Sequence, residues 1–170
     1  PVDRRQRQMC IRDRLSSDLL NKEFRSNIFI KAENLQKIGA FKFRGAMNSI
    51  LKLDDDKKNV LAWSSGNHAQ AIASACYLTN KNATIVMPED SPNAKLNGTK
   101  SWGANVVTFD RYSESREEIG TNLAKEINAE IIPPFDHPDV INGQGTVGYE
   151  IINDCKKNNL IPDLVLCCCG

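Results

Sequence analysis

The sequence predicts an α/β protein with open, parallel, twisted sheets that are flanked by helices. The first observation is that short apolar runs alternate along the chain with longer segments of helical periodicity, a pattern typical of βαβ units. The second is the composition, with 41% hydrophobic and 25% charged residues in a chain of 170. A chain of this length and composition can bury a sizeable core.

The predicted elements follow one another in a regular order. The predicted strands are apolar runs bounded by turns, and they cover residues 27–33, 59–63, 83–87, 105–109, 129–132 and 164–169. The predicted helices cover residues 18–25, 46–53, 69–78, 92–102, 114–128 and 143–156. Ser17 and its neighbours can cap the first of these helices. Strands separated by helices in this way predict a parallel sheet.

The first 14 residues differ from the rest in charge. They contain five arginines against two aspartates, whereas the whole chain has a net charge of +1. Such a basic run can be a targeting segment or a nucleic-acid-binding arm, but it lacks the serine-rich, acid-free character of a transit peptide. We therefore predict that residues 1–14 are a non-native leader outside the fold.

Charge and hydropathy also bear on partners and location. No apolar run approaches the length of a membrane span, and nothing in the composition suggests a nucleic-acid partner. None of the six cysteines forms a CxxC pair, so we predict no metal site. Residues 167–169 are three cysteines that continue an apolar run, and we expect them to be small core residues on a buried strand. A reducing cytoplasm fits this cysteine usage.

The residues that join the first apolar run to the next helix surround a single lysine. Gly39, Ala40 and Phe41 precede Lys42, and Phe43 follows it. An amine between aromatic side chains loses hydration, which lowers its pKa, and a neutral amine can form a Schiff base with an aldehyde. A surface lysine in the first turn of a helix fits the spacing equally well.

A second polar turn follows the strand predicted at residues 59–63. Its sequence, Ser-Ser-Gly-Asn-His at residues 64–68, leads into an apolar helix. Amides and hydroxyls at the start of a helix form an anion site. An ordinary Ser or Asn helix cap would satisfy this spacing as well.

Both segments resemble signatures of the serine/threonine dehydratase and serine racemase family, pyridoxal-phosphate enzymes of the tryptophan-synthase-β fold type. The first signature is NLQxxGAFKxRGA at residues 34–46, and its GAFKFR form is most similar to the serine racemase and threo-3-hydroxyaspartate dehydratase branch. The second is SSGNHAQ at residues 64–70. The segment GQGT at residues 143–146 also resembles the family, and we assign it structural support only.

The resemblance implies roles for individual residues. In the family the lysine of the first signature carries the cofactor, so Lys42 inherits that role and Phe41 lies beside the cofactor. Asn67 would donate to the ring hydroxyl of the cofactor, and Ser65 would act on the opposite face from Lys42. Gly170 would be the first glycine of the phosphate-binding loop. The substrate carboxylate would be held by Ser64, Ser65, Gly66, Asn67 and His68, with a structural rather than a catalytic role expected for the side chain of His68.

The resemblance covers residues 15–170 and only the first half of a family member. We therefore expect a truncated fold-type II enzyme whose isolated fragment is inactive. The rest of the phosphate loop, the partner of the pyridine nitrogen and the family's divalent-cation ligands would lie beyond residue 170. Residues 15–57 and 133–170 would belong to a large cofactor-binding domain and residues 58–132 to a small α/β domain. A full-length chain would form a homodimer.

The implied activity is that of an ammonia-lyase (dehydratase), a racemase or both, acting on hydroxyamino acids through a Schiff base on Lys42. L-Threonine, L-serine and threo-3-hydroxyaspartate are the expected substrates. One alternative is a β-replacement enzyme of the cysteine synthase type, although those enzymes usually carry Thr-Gly where this chain has His68 and Ala69. Alternatives from other classes are a non-catalytic fragment and a small-ligand-binding module, and the dinucleotide version of the latter lacks its glycine fingerprint.

Overall fold

The computed structural model describes residues 14–168, and they group into two units. The sheet unit comprises residues 32–144, and the terminal unit comprises the described parts of residues 1–31 and 145–170. These boundaries differ from the division at residues 58–132 that we expected from the sequence, and that division stays a prediction. Residues 1–13 of the predicted leader lie outside the described residues, whereas Arg14, the last residue of that leader, begins the first strand.

The described chain contains six strands and six α-helices. The strands are β1 (Arg14–Leu15), β2 (Ile30–Lys31), β3 (Asn59–Trp63), β4 (Asn82–Pro88), β5 (Asn105–Phe109) and β6 (Ala129–Ile131). The helices are α1 (Asp18–Phe24), α2 (Lys42–Leu51), α3 (Asn67–Leu78), α4 (Asn93–Lys100), α5 (Arg116–Glu126) and α6 (Pro138–Lys157). A 3₁₀ turn covers Glu33–Leu35. No helix among residues 14–168 is both long and apolar enough to cross a lipid bilayer.

The sheet unit is built on a four-stranded parallel sheet with the order β5-β4-β3-β6. The prediction of a parallel α/β sheet is therefore confirmed, and β3 and β5 have the predicted bounds. Successive residues of a strand face opposite sides of a sheet. Val60 and Ala62 accordingly join the cluster that contains α2 and α3, whereas Leu61 joins the cluster that contains α5. Helices thus cover both faces, which is why β3 and β4 are apolar on both sides.

Helix α3 lies against the sheet through small side chains. Eight of its twelve residues are buried, and four of those eight are alanines. Alanine has the highest helix propensity and leaves no long side chain to hold the helix away from its neighbours. The buried helix brings the turn that precedes it, at residues 64–66, to the carboxyl end of β3.

The terminal unit contains a two-stranded ribbon instead of the strand predicted at residues 27–33. Only Ile30 and Lys31 are extended and paired, and they pair antiparallel with β1 rather than with the parallel sheet. Phe29 and Ile30 remain exposed, so the apolar run that suggested a strand is a surface feature here. Helix α1 is as predicted, and the Ser17 side chain accepts a hydrogen bond from the Leu20 amide at its start.

Three other elements differ from the sequence prediction, and one of them is α2, which begins at Lys42 rather than at residue 46. Helix α6 begins at Pro138, five residues before the predicted start. Proline fits the first helical position, and the Nδ1 atom of His137 accepts a hydrogen bond from the Asp139 amide at 3.2 Å. Residues 164–168 form no strand, and Cys167 and Cys168 are exposed rather than buried. An apolar run predicts a need for burial, but strand formation also requires a pairing edge that the run itself cannot supply.

Candidate active site

Lys42 is the first residue of α2, and its amine is half-buried. Its Nζ atom donates a 2.7 Å hydrogen bond to the carbonyl oxygen of Pro134. Burial lowers the pKa of Lys42 from its usual value of 10.5. The partner is a neutral carbonyl rather than a carboxylate, so no opposite charge counteracts that shift through this bond. A lysine in this setting is closer to the neutral, nucleophilic form than an exposed one.

Only one of the two phenylalanines that flank Lys42 contacts its amine. The Nζ atom lies 5.4 Å from the centre of the Phe41 ring. Phe43 instead points into the hydrophobic core, where it is 6% exposed. The expectation that both rings surround the amine was therefore wrong. Residues two apart on an α-helix differ by about 200° in direction and cannot line the same side.

The turn at residues 64–66 connects β3 to α3 and leaves polar groups accessible. The Gly66 amide donates to Ser64 Oγ at 3.2 Å, and the Ser64 amide donates to the carbonyl of Val86 on the neighbouring strand β4. Ser65 and Asn67 are exposed. A Cβ atom placed on Gly66 would meet no heavy atom within 4 Å, so open space lies beside the turn.

The start of α3 is not capped by a side chain. Its N-cap residue is Gly66, and among residues 14–168 no side chain accepts a hydrogen bond from the first-turn amides. The simpler interpretation of this turn, an ordinary Ser or Asn cap, is therefore not what the structure shows. Uncapped amides at the amino end of a twelve-residue helix carry partial positive charge and can donate to an anion.

His68, the second residue of α3, is buried and neutral. Its Nε2 atom lies 3.0 Å from the carbonyl oxygen of Ile132, which can only accept, so Nε2 carries the proton. Its Nδ1 atom is buried without a hydrogen-bond partner in the described chain. Burial lowers the pKa of His68 to about 4, and the charge of Lys42 acts in the same direction, while the bond to Ile132 opposes the shift. At neutral pH this imidazole has no proton to give from Nδ1.

The residues that follow β6 hold both the lysine and the histidine in place. The carbonyl of Ile132 accepts from His68, and the carbonyl of Pro134, two residues later, accepts from Lys42. The two donors come from different helices, α2 and α3. Their proximity is also evident from the effect of the Lys42 charge on the pKa of His68. Lys42 and the polar turn therefore meet at the carboxyl end of the parallel sheet, where α/β proteins bind ligands.

Two residues that the sequence did not indicate belong to this region. The backbone of Pro134 is one, and its position just after a strand of the parallel sheet was the available signal. The other is Lys95 in the first turn of α4, whose Nζ donates to Asn67 Oδ1 at 2.9 Å. A lysine in the first turn of a helix is unfavourable, because the helix dipole places partial positive charge there. This unfavourable position was the feature of the sequence that could have indicated Lys95.

The remaining predicted residues support the site or lie outside the described part of the chain. Arg44 forms an ion pair with Glu33 through two contacts of 2.8 Å, which ties α2 to the 3₁₀ turn before it. Gly143 lies where α6 crosses α2 closely, as expected for the GQGT segment. Gly170, predicted to bind the cofactor phosphate, lies outside the described residues.

A parallel α/β sheet with a lysine at one helix start and an uncapped polar turn at another is an arrangement that can hold an anionic ligand beside an amine. The sequence model of the family described as "Pyridoxal-phosphate dependent enzyme" matches residues 14–170. The chain therefore belongs to the pyridoxal-phosphate dependent enzyme family.

Three relatives with curated functions are an ammonia-lyase, a racemase and a dehydratase. L-threo-3-hydroxyaspartate ammonia-lyase of Saccharomyces cerevisiae is 53% identical over 142 residues, which make up 82% of this chain and 44% of that protein. Serine racemase of Schizosaccharomyces pombe is 46% identical over the same shares of each chain. L-threonine dehydratase catabolic TdcB of Staphylococcus aureus is 42% identical over 81% of this chain and 40% of that protein. The chain thus spans less than half the length of these relatives.

Solved structures show the same fold. A threonine deaminase from T.th. superposes with a TM-score of 0.81 at 41% identity, covering 89% of this chain and 48% of that one. Serine racemase from Dictyostelium discoideum superposes with a TM-score of 0.79 at 37% identity, covering 85% of this chain and 48% of that one. These are fold-type II pyridoxal-phosphate enzymes, so the predicted fold class is confirmed.

The residues of this site fit pyridoxal phosphate. The cofactor's aldehyde requires an amine that is not committed to an ion pair, and among the described residues the Lys42 amine donates only to a carbonyl. The cofactor's ring oxygen requires a hydrogen-bond donor. The exposed Asn67 side chain can provide one through Nδ2, because its Oδ1 already accepts from Lys95. Open space lies beside Gly66, the residue that precedes Asn67.

Proposed function

We propose that the protein is a pyridoxal-phosphate-dependent ammonia-lyase, a racemase or both, acting on hydroxyamino acids such as L-threonine, L-serine or threo-3-hydroxyaspartate. The observation that carries this proposal is the Lys42 amine. It is half-buried, its pKa is lowered, and it is bonded to the Pro134 carbonyl close to an uncapped helix start. The functions of the relatives support the choice of substrates.

The chain's own residues supply binding and proton transfer. When bound, pyridoxal phosphate withdraws electrons from the substrate's α-carbon and makes its proton removable. The amides at the start of α3 hold the substrate carboxylate, together with Ser64 and Gly66. The neutral amine of Lys42 takes the α-proton, and the Pro134 carbonyl orients that amine. The exposed hydroxyl of Ser65 carries a proton on the side that Lys42 does not serve, which would give racemisation.

The other site residues position these groups. Asn67 would donate to the cofactor's ring oxygen, and Phe41 would contact the ring. Neutral His68 ties the start of α3 to the Ile132 carbonyl, so it holds the turn and transfers no proton itself. Gly170 would donate its amide to the cofactor phosphate.

The organisation of the whole protein is part of this proposal. Residues 15–57 and 133–170 would contribute to a large cofactor-binding domain, and residues 58–132 would form a small one. A full-length form would act as a homodimer in the cytoplasm on small amino-acid substrates, without nucleic acid as a partner.

The test is chemical attachment of the cofactor to Lys42. A form extended to the length of the relatives is incubated with pyridoxal phosphate, reduced with borohydride, digested and mapped by mass spectrometry. We expect the label on Lys42 in the unsubstituted protein and no stoichiometric label after Lys42→Ala. The nearby Lys37 serves as an internal control. Label on another lysine with Lys42 unmodified would refute the assignment.

A further inference from the structure

Lys95 forms an unusual hydrogen bond, because its partner is a neutral amide rather than a carboxylate. Its Nζ atom donates to the amide oxygen of Asn67 at 2.9 Å, and among residues 14–168 it forms no ion pair. It is the third residue of α4, where the positive end of the helix dipole disfavours a cation. Neither the helix dipole nor an ion pair favours a lysine here, whereas its hydrogen bond to the turn does.

The contact fixes the orientation of an amide that could otherwise face either way. An asparagine side chain presents an acceptor oxygen on one side and two donor hydrogens on the other. A lysine ammonium has three donors and no acceptor, so it can pair only with the oxygen. With Oδ1 held by Lys95, the Nδ2 group must face away from α4. No partner for Nδ2 is found in the described chain.

We propose that Lys95 is a positioning residue that holds the Asn67 amide with its Nδ2 donors directed at the cofactor's ring oxygen. The inference rests on the proposed function, because it assigns Asn67 to the cofactor. Without Lys95 the amide could turn its oxygen toward the cofactor's ring oxygen, which would replace a hydrogen bond with the repulsion of two acceptors. Lys95 would thus act on cofactor binding without touching the cofactor.

The test is a double-substitution cycle on the cofactor-loaded, full-length form. Lys95→Met keeps the length of the side chain and removes its donors, and Asn67→Ala removes the amide. We expect Lys95→Met to raise the dissociation constant of pyridoxal phosphate about 10-fold, in line with the loss of one hydrogen bond to a charged group. The double variant should bind no more weakly than Asn67→Ala alone, because both changes remove the same interaction.

A spectroscopic readout separates positioning from a general structural role. A lost donor disfavours the anionic form of the ring oxygen, so the pH midpoint of the visible absorbance change of bound cofactor should move upward in Lys95→Met and Asn67→Ala. Lys95→Arg keeps a donor and should restore the midpoint. Lys100→Met, at the exposed last residue of the same helix, is the matched control and should leave the midpoint unchanged.

The outcomes distinguish this inference from the proposed function. Two results would overturn the role of Lys95 even if borohydride still attaches the cofactor to Lys42. One is that the effects of Lys95→Met and Asn67→Ala on the dissociation constant multiply in the double variant. The other is that the pH midpoint is unchanged in Lys95→Met. Failure of that attachment in the unsubstituted protein would overturn the proposed function itself. A Lys95→Arg variant that binds as weakly as Lys95→Met would also contradict the inference.

Discussion

Lowering the pH should destabilise the fold through His68. The folded-state pKa of this histidine is about 4, against 6.5 for an unperturbed imidazole. Burial is the main cause, the charge of Lys42 acts in the same direction, and the hydrogen bond to Ile132 opposes both. The unfolded chain therefore binds a proton at His68 at a higher pH than the folded chain does.

The sign and size of the effect follow from that difference. Above about pH 6.5 the imidazole is neutral in both states, and it contributes no pH dependence. As the pH falls from about 6.5 toward about 4 the unfolded state takes up the proton first, so the free energy of unfolding decreases. A shift of this size corresponds to a loss on the order of 3 kcal/mol once the pH reaches the folded-state value.

Urea unfolding at a series of pH values between about 4 and 7 measures this loss. His68→Gln keeps an amide donor for the Ile132 carbonyl but cannot titrate, so the protein and this variant should differ in the slope of unfolding free energy against pH. The same substitution at His137, the other histidine of the chain, controls for replacing a histidine. Parallel slopes for the protein and His68→Gln over this range would refute the burial argument.

Two further predictions concern catalysis and packing. In the full-length form, Ser65→Ala should reduce racemisation and the dehydration of D-substrates roughly 100- to 10,000-fold. Dehydration of L-substrates should fall less, because Ser65 would serve one side of the cofactor only. Equal small losses for both enantiomers would argue against that role. Gly143→Ala should lower the free energy of unfolding by about 1–3 kcal/mol. The added Cβ would lie 2.6 Å from the Arg44 carbonyl oxygen and 2.7 Å from the Gly45 Cα, and these backbone atoms cannot move aside. Gly145→Ala in the same helix meets no atom within 4 Å and should stabilise by up to about 1 kcal/mol in denaturant unfolding, so equal effects at the two glycines would contradict the packing argument.

Local patterns predicted most of the sheet unit. The bounds of β3 and β5 follow from apolar runs that end at turn residues. The central strand β3 is covered by helices on both faces and is therefore apolar through its middle. Helix starts were less predictable from pattern alone. Helix α6 begins at Pro138 because a proline and a preceding histidine acceptor favour a helix start, whereas proline clusters more often mark loops.

The candidate residues were also evident in the sequence, but their environment was not. The two signatures named Lys42 and the turn at residues 64–68, and the chain's membership in the family bears out the resemblance. The predicted aromatic surroundings of Lys42 were wrong for Phe43, because helix geometry directs residues 41 and 43 to different sides. Lys95 was missed because its partner is 28 positions away in the sequence.

Periodicity and residue type are local properties, so the sequence predicted which segments alternate as strands and helices and which residues are candidates for the chemistry. The tertiary structure decided which groups meet. The carbonyl that orients Lys42 is 92 residues away, and the carbonyl that fixes the His68 proton on Nε2 is 64 residues away from that histidine. It also decided that the run at residues 164–168 forms no strand. Hydrogen bonds between distant segments depend on where the carboxyl ends of the parallel strands lie relative to one another, and no local pattern encodes those positions.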